Sequence, residues 1–281
     1  MSKFIKFGTI AATTLIAASA AAPLVSGTPV HADSKPTTVT VGLVGSDEAD
    51  IWKEVAKTAK DKYNIKIKTK TFTDYNQPNK AVADGSIDLN AFQHHYFLDD
   101  WNDHNGNKVK AIGDTFITPI RLYSNDAKKA SSFKKGDTIA VPNDPTNEGR
   151  SLKVLESAGL IKLKDTKLPT TKDIKQNKKD IKIKELSADQ VAGAFKSKSV
   201  QGAVINTNYA QQAKINLKSA IYVEPVNKDS KQWVNVIAAK KSKADKSAYE
   251  DVVKAYQTKA TEKAIKKEHG DSEIPAWNKK F

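Results

Sequence analysis

Apolar and polar positions along the chain switch between a period of two and a period near 3.6. Residues 38–44 alternate with Val39, Val41 and Leu43 on one side, the pattern of a β-branched strand closed by Gly45-Ser46-Asp47. Ala49, Trp52, Val55, Ala56 and Ala59 then share one helical face, with Asp47 as the expected N-cap. Residues 65–72 alternate apolar with basic side chains, a half-exposed strand. Residues 76–85 predict a short helix ended by Gly85, and 87–92 a buried strand. This β-α-β-α-β opening argues for a parallel sheet with helices on its faces.

The stretch from Val109 to Tyr123 is extended, broken by Gly113, and carries Pro119. It reads as a strand leading out of one domain rather than as a central strand. A second βα alternation begins at Thr138–Val141, with a helix from Pro145 to about Ala158 stopped by Gly159. Residues 181–186 predict a strand, 188–197 a helix and 200–205 a buried strand. Residues 221–225 cross back, 233–239 return as a strand, and Tyr249, Val252, Val253 and Tyr256 mark one long final helix. The expected architecture is α/β with two lobes. One is discontinuous (38–122 plus 226–281) and the other, 123–225, is inserted. In such proteins ligands occupy the cleft at the carboxyl ends of the strands.

The first residues carry Lys3 and Lys6, then an apolar run of Ala, Ile, Leu and small polar residues to Val25, then Val30-His31-Ala32. That order is a secretory signal peptide over residues 1–32, cleaved near Ala32. Its removal takes two lysines and no acid from a net charge of +14, leaving +12. The chain has no cysteine, which excludes a disulfide framework, a thiol nucleophile and a Cys-based metal site. The basic excess suits an anionic wall polymer or lipid surface. No dense basic stripe with interleaved aromatics points to nucleic acid.

The most informative segment is Val141-Pro142-Asn143-Asp144-Pro145-Thr146-Asn147-Glu148-Gly149-Arg150. Asp144 suits the N-cap and Pro145 the first helical position. Thr146 and Asn147 fall in the first turn, where backbone N–H groups and the positive dipole end face outward. Arg150 follows Asn147 by three residues on the same face, and Arg121 and Arg150 are the only arginines among 46 basic residues. A guanidinium beside a helix N-terminus makes a carboxylate site, because the planar fork donates two charge-assisted hydrogen bonds. A capped helix with a surface arginine fits the spacing equally well.

The run from Asn143 to Arg150, followed by Ala158-Gly159-Leu160-Ile161-Lys162-Leu163, resembles the signature of the NlpA family of methionine-binding lipoproteins. Three further stretches match in order: Tyr75-Asn76-Gln77-Pro78-Asn79, Asp88-Leu89-Asn90-Ala91-Phe92-Gln93-His94, and Ala203-Val204-Ile205-Asn206 with Tyr209-Ala210. The likeness spans about Val39 to Trp277. It implies a periplasmic-binding-protein type II fold, a monomer that is not an enzyme, no cofactor, and delivery of a small amino acid, methionine first, to the permease and ATPase of an ABC importer. The resemblance places Tyr75, Phe92, His94 and Phe97 around the ligand side chain. It places Asn147 and Arg150 on the carboxylate, and Asn206 and Asn235 at the amine and carboxylate. Cystine or another amino acid is the alternative ligand within the same family.

Three departures bear on that pocket. Phe97 stands where the family carries Tyr, so a hydroxyl is lost or supplied by Tyr96. Trp233 replaces a Tyr before Val234-Asn235, and Gly45-Ser46-Asp47-Glu48-Ala49 replaces the family's Gly-Pro-His-Ala region. Leu24-Val25-Ser26-Gly27 resembles a lipobox with glycine in place of the acylated cysteine, so no lipid can be attached. Two other function classes compete. His94, His95, Asp99, Asp100 and His104 invite comparison with a metal site, but adjacent histidines on a strand point to opposite sides, and no metal site is expected. A cationic surface adhesin needs no cleft chemistry at all. Catalysis has no support from a Gly-x-Ser-x-Gly elbow or an H-E-x-x-H helix.

Overall fold

The computed structural model describes residues 35–281, so the expected leader and its cleavage site lie outside the described residues. The opening half follows the predicted alternation. Strand β1 (Thr37–Val44) runs into helix α1 (Ala49–Tyr63), then β2 (Ile65–Phe72), α2 (Gln77–Asp84) and β3 (Leu89–His94). The α1 start differs from expectation. Glu48, not Asp47, holds the N-cap position and makes no side-chain cap, while Asp47 accepts a hydrogen bond from Gln212 Nε2 at 3.1 Å.

Helix α3 (His95–Asn105) has no counterpart in the sequence expectations. Tyr96, Phe97 and Leu98 are buried consecutively, and Trp101 is the one later apolar position in an otherwise polar helix, too little to show a helical period. Its start is set by His94, which ends β3 in extended backbone and accepts the Phe97 N–H on Nδ1 at 3.0 Å. The two histidines therefore do not alternate along a strand, because His95 begins a helix.

The long extended stretch resolves into three strands, β4 (Val109–Asp114), β5 (Phe116–Ile117) and β6 (Arg121–Ser124). Then come β7 (Thr138–Pro142), α4 (Pro145–Ser157), β8 (Lys162–Leu163), β9 (Ile174–Gln176), β10 (Lys182–Leu186), α5 (Ala188–Lys196) and β11 (Gly202–Ile205). The chain continues through α6 (Thr207–Gln212), β12 (Tyr222–Val223) and β13 (Asn235–Lys240). Two helices, α7 (Ser247–Tyr256) and α8 (Lys259–His269), precede a short β14 (Ile274–Pro275). The single long final helix expected from periodicity is thus two helices. Thr258 caps the second by accepting the Thr261 N–H, a local bond that competes with helix continuation.

Two five-stranded sheets result, ordered β2-β1-β3-β13-β4 and β10-β7-β11-β6-β12. In each, four strands share one direction and a single antiparallel strand (β13 or β6) inserts before the last of them. The fold is the two-lobe, α/β periplasmic-binding-protein type II arrangement. The boundary expected after residue 122 falls inside β6, which lies wholly in the second sheet.

Apolar burial follows the sheets. Val39, Val41, Leu89 and Ile237 pack under Trp52, Tyr249 and Tyr256 on one face of the first sheet. Ile139, Val141 and Val204 pack under Leu152 and Leu155 in the second. A third cluster is continuous across both, joining Phe72, Val82 and Leu98 to Phe195, Tyr209 and Ala210. Parallel strands buried on both faces need near-continuous apolar runs, which β7 and β11 supply.

Candidate functional site

The parallel strands of both sheets end at one cavity, whose empty space of about 630 Å³ includes the part open to solvent. Tyr75, Phe92, His94, Phe97, Asn147, Arg150, Asn206 and Asn235, the eight residues singled out in the sequence, all line it. Register explains part of this convergence, since Asn235 on β13 pairs directly with His94 on β3. A buried amide network holds β3 against α2. Asn79 Nδ2 donates to Gln93 Oε1 at 2.7 Å, and Asn90 Nδ2 donates to Asn79 Oδ1 at 2.8 Å.

Three aromatic rings form one end. The centroids of Tyr75, Phe92 and Phe97 lie 5.7–5.8 Å from one another, within the range of favourable tilted and edge contacts. Tyr75 donates from its hydroxyl to Asn208 Oδ1 on α6 at 2.7 Å, which ties the first-sheet ring to the second sheet. Tyr96 does not supply the hydroxyl missing at Phe97. Its ring packs on Trp233 at 5.4 Å, away from the cavity, and its hydroxyl is buried without a partner. Helix geometry accounts for this, because neighbouring positions on a helix diverge by about 100°.

His94 carries the clearest electrostatic signal in this region. Burial first, and the nearby Arg150 charge second, hold its imidazole well below the usual histidine range. The ring is therefore neutral. With Nδ1 accepting from Phe97, the proton sits on Nε2, which lies near the Asn147 side chain without a hydrogen bond of good geometry to a described residue. An unpaired buried donor at a cavity wall is costly unless a ligand accepts from it.

At the opposite side, Asp144 caps α4 by accepting the Asn147 N–H at 3.0 Å, and both its oxygens accept from Asn147 Nδ2 at 3.0 Å. The expected free helix terminus is therefore largely occupied: Pro145 has no N–H, and a half-buried carboxylate already sits at the dipole end. Asn147 Oδ1 accepts from Asn206 Nδ2 at 2.8 Å, so these two residues act as a bridged pair. The Asn235 side chain makes no hydrogen bond to another described residue.

Arg150 is 3% exposed, and its fork is engaged internally. Nε and Nη2 donate to the two oxygens of Glu224 at 2.8 and 2.5 Å, and Nη2 also reaches the Thr118 carbonyl at 3.1 Å. The guanidinium lies 4.7 Å over the Trp233 ring. Its Nη1 edge remains free to donate into the cavity. Sequence spacing missed Glu224, a chain-distant partner on the crossing segment, and also Asn208 and Thr118. A lone Glu in a Val-Glu-Pro stretch carries no local signal.

The histidine-rich constellation does not assemble. His95 Nε2 pairs with Asp114 at 2.7 Å, and His104 lies exposed beside Asp100. The group of potential ligands that does converge among the described residues is Glu48, His269 and Glu273. No helix among the described residues is long and apolar enough to cross a membrane.

Residues 39–277 match the NlpA lipoprotein family. The D-methionine-binding lipoprotein MetQ of Escherichia coli K12 is 39% identical over 248 residues, 87% of this chain and 90% of that one. Among solved structures, the substrate-binding protein of a methionine transporter from Streptococcus pneumoniae superposes with a TM-score of 0.79 at 41% identity. That likeness covers 85% of this chain and 96% of that one. A nutrient-binding protein from Burkholderia cenocepacia, solved with methionine bound, gives 0.80 at 37% identity over 85% and 99%. The match extends over both sheets and every segment that lines the cavity, so this chain belongs to the NlpA lipoprotein family.

Proposed function

We propose that this protein is the extracytoplasmic solute-binding component of an ABC importer, holding methionine in the cavity between its two sheets. The observation that carries the reading is the pairing of one free guanidinium edge with a box of three aromatic rings in a single enclosed space. The Arg150 Nη1 edge takes the ligand carboxylate, strengthened by low surrounding polarity. Asn206 and Asn235 take the amine and the remaining carboxylate oxygen, each offering both a donor and an acceptor. Tyr75, Phe92 and Phe97 enclose a thioether, whose polarisable sulfur gains roughly 0.3–1.5 kcal/mol against ring edges. His94 Nε2–H is the polar donor near the side chain.

The lobes are taken as residues 38–120 with 226–281, and 121–225, the first boundary moved from 122 so that β6 stays whole. The protein binds and hands over its ligand without transforming it, acting as a monomer with the importer's permease and ATPase as partners. Residues 1–32 direct export and are cleaved near Ala32. With Gly27 in the lipobox-like stretch there is no thiol to acylate, and a net charge of +12 holds the product at an anionic surface.

A thermal-shift screen of the exported protein against every amino acid, both methionine enantiomers and cystine tests the ligand. A ligand at 100 times its dissociation constant stabilises by about 2.7 kcal/mol. Methionine should give the largest shift, and a flat response across the panel would overturn the reading. Intact mass of the exported protein tests the leader, the expected species beginning at Asp33 without added lipid.

A further inference from the structure

At the cavity wall away from Arg150, the α1 N-terminus meets the segment that follows α8. Glu48 and Glu273 face each other there, both buried and both lining the cavity. His269 Nε2 lies 3.6 Å from Glu48 Oε1 and 3.9 Å from Glu273 Oε2, with its side chain only 5% exposed. Among the described residues Glu48 Oε2, Glu273 Oε1 and His269 Nε2 have no hydrogen bond of good geometry, although the two carboxyl groups lie close to each other and the imidazole lies close to the Asp47 backbone. In a chain with 46 basic residues, no lysine or arginine pairs with either carboxylate among the described residues. Two buried carboxylates facing an imidazole are satisfied either by a proton shared between Glu48 and Glu273 or by a cation among the three groups.

We propose that Glu48, His269 and Glu273 form a binding site for a divalent transition metal of the zinc type. One nitrogen and two carboxylate oxygens are a borderline-metal donor set, whereas calcium and magnesium prefer oxygen alone. Tetrahedral zinc with bonds of 2.0–2.2 Å places ligand atoms about 3.3–3.6 Å apart, so the two histidine–carboxylate separations of 3.6 and 3.9 Å need to contract by roughly half an ångström at most. The donor atoms already lie within 4.8 Å of one another. Gln211 Nε2 lies 2.7 Å from His269 Nδ1, so the metal-binding tautomer requires the amide to turn over. With its oxygen turned inward it accepts Nδ1–H and leaves the Nε2 lone pair for the ion, the outer-shell arrangement that orients metal-bound histidines. The fourth position faces the cavity, beside Asp47. Gln211 belongs to α6, so an ion here also ties the second sheet to the first.

The test uses the purified protein, stripped with EDTA and titrated with zinc sulfate at pH 7.5. Native mass spectrometry counts the bound ion, and calorimetry gives the affinity. One zinc per chain is expected, with at least a tenfold weakening in H269Q and in E273Q and no change in H95Q, which removes the half-buried His95–Asp114 pair. Circular dichroism checks that the variants fold. Should they not, X-ray absorption on the zinc-loaded natural chain must show a single imidazole among oxygen ligands. Absence of retained zinc, binding indifferent to both substitutions, or an absorption spectrum without a single imidazole overturns the proposal. The first of these would mean that the carboxylates share a proton instead.

Discussion

Arg150 and Glu224 form a two-point ion pair, Nε and Nη2 against both carboxylate oxygens, with both side chains largely out of solvent. The pair fixes the guanidinium so that one edge is structural and the other faces the cavity. Removing one partner of such a pair leaves an uncompensated buried charge. E224A should therefore lower unfolding stability by about 3–5 kcal/mol, measured as a fall in the urea midpoint. R150A should weaken methionine binding by about 2–5 kcal/mol, measured by calorimetry. R150K should recover little of it, since an ammonium cannot satisfy Glu224 and a ligand at once.

The Tyr75–Asn208 hydrogen bond joins an aromatic wall of the first sheet to α6 of the second. Y75F and N208A should each cost about 1 kcal/mol of ligand affinity, roughly fivefold. The double variant should lose no more than either alone if the bond is the shared cause. Dissociation rates from stopped-flow fluorescence provide the readout.

Phe92 closes the ring box together with Phe97 and Tyr75. F92A removes a wall that contacts both, and affinity for methionine should fall by about 2 kcal/mol, near thirtyfold. Affinity for alanine, whose side chain cannot reach the box, should change less. Parallel titrations with the two amino acids check this.

Burial, with the Asp47 charge second, pushes the Glu48 carboxyl up to about 8. The metal-free native state thus holds a proton that the unfolded chain releases above the ordinary value near 4.5. Its contribution to stability is complete at low pH and is lost as pH rises through about 8. E48Q keeps the neutral shape without that proton. It should melt above the natural chain at pH 8 in EDTA, with the gap narrowing toward pH 5. Scanning calorimetry across that range measures it, and zinc at pH 8 should raise the melting temperature of the natural chain alone.

Most of the framework was legible because each element declares itself locally. The β1–α1–β2 unit shows its period in Val39, Val41 and Leu43 and then in Trp52, Val55 and Ala59, and it lies where those residues predict it. Helix α3 was not legible, because its three buried residues are consecutive and its start depends on a histidine ring folded back onto Phe97 N–H. The break between α7 and α8 was missed for a related reason. A threonine cap competes with a helical pattern that is otherwise unbroken.

The sequence by itself determined the chemistry available to the site. The Asp144-Pro145 helix start, the rare arginine three residues beyond Asn147, and the aromatic residues near β3 are all local patterns. Only the tertiary structure decided how those groups are used. It turned Arg150 toward Glu224, sent Tyr96 behind Trp233, and brought Glu48 to Glu273 across more than two hundred residues. Such pairings depend on which strand ends share a cleft. Sheet order and register set that, and neither is written in any short window of the chain.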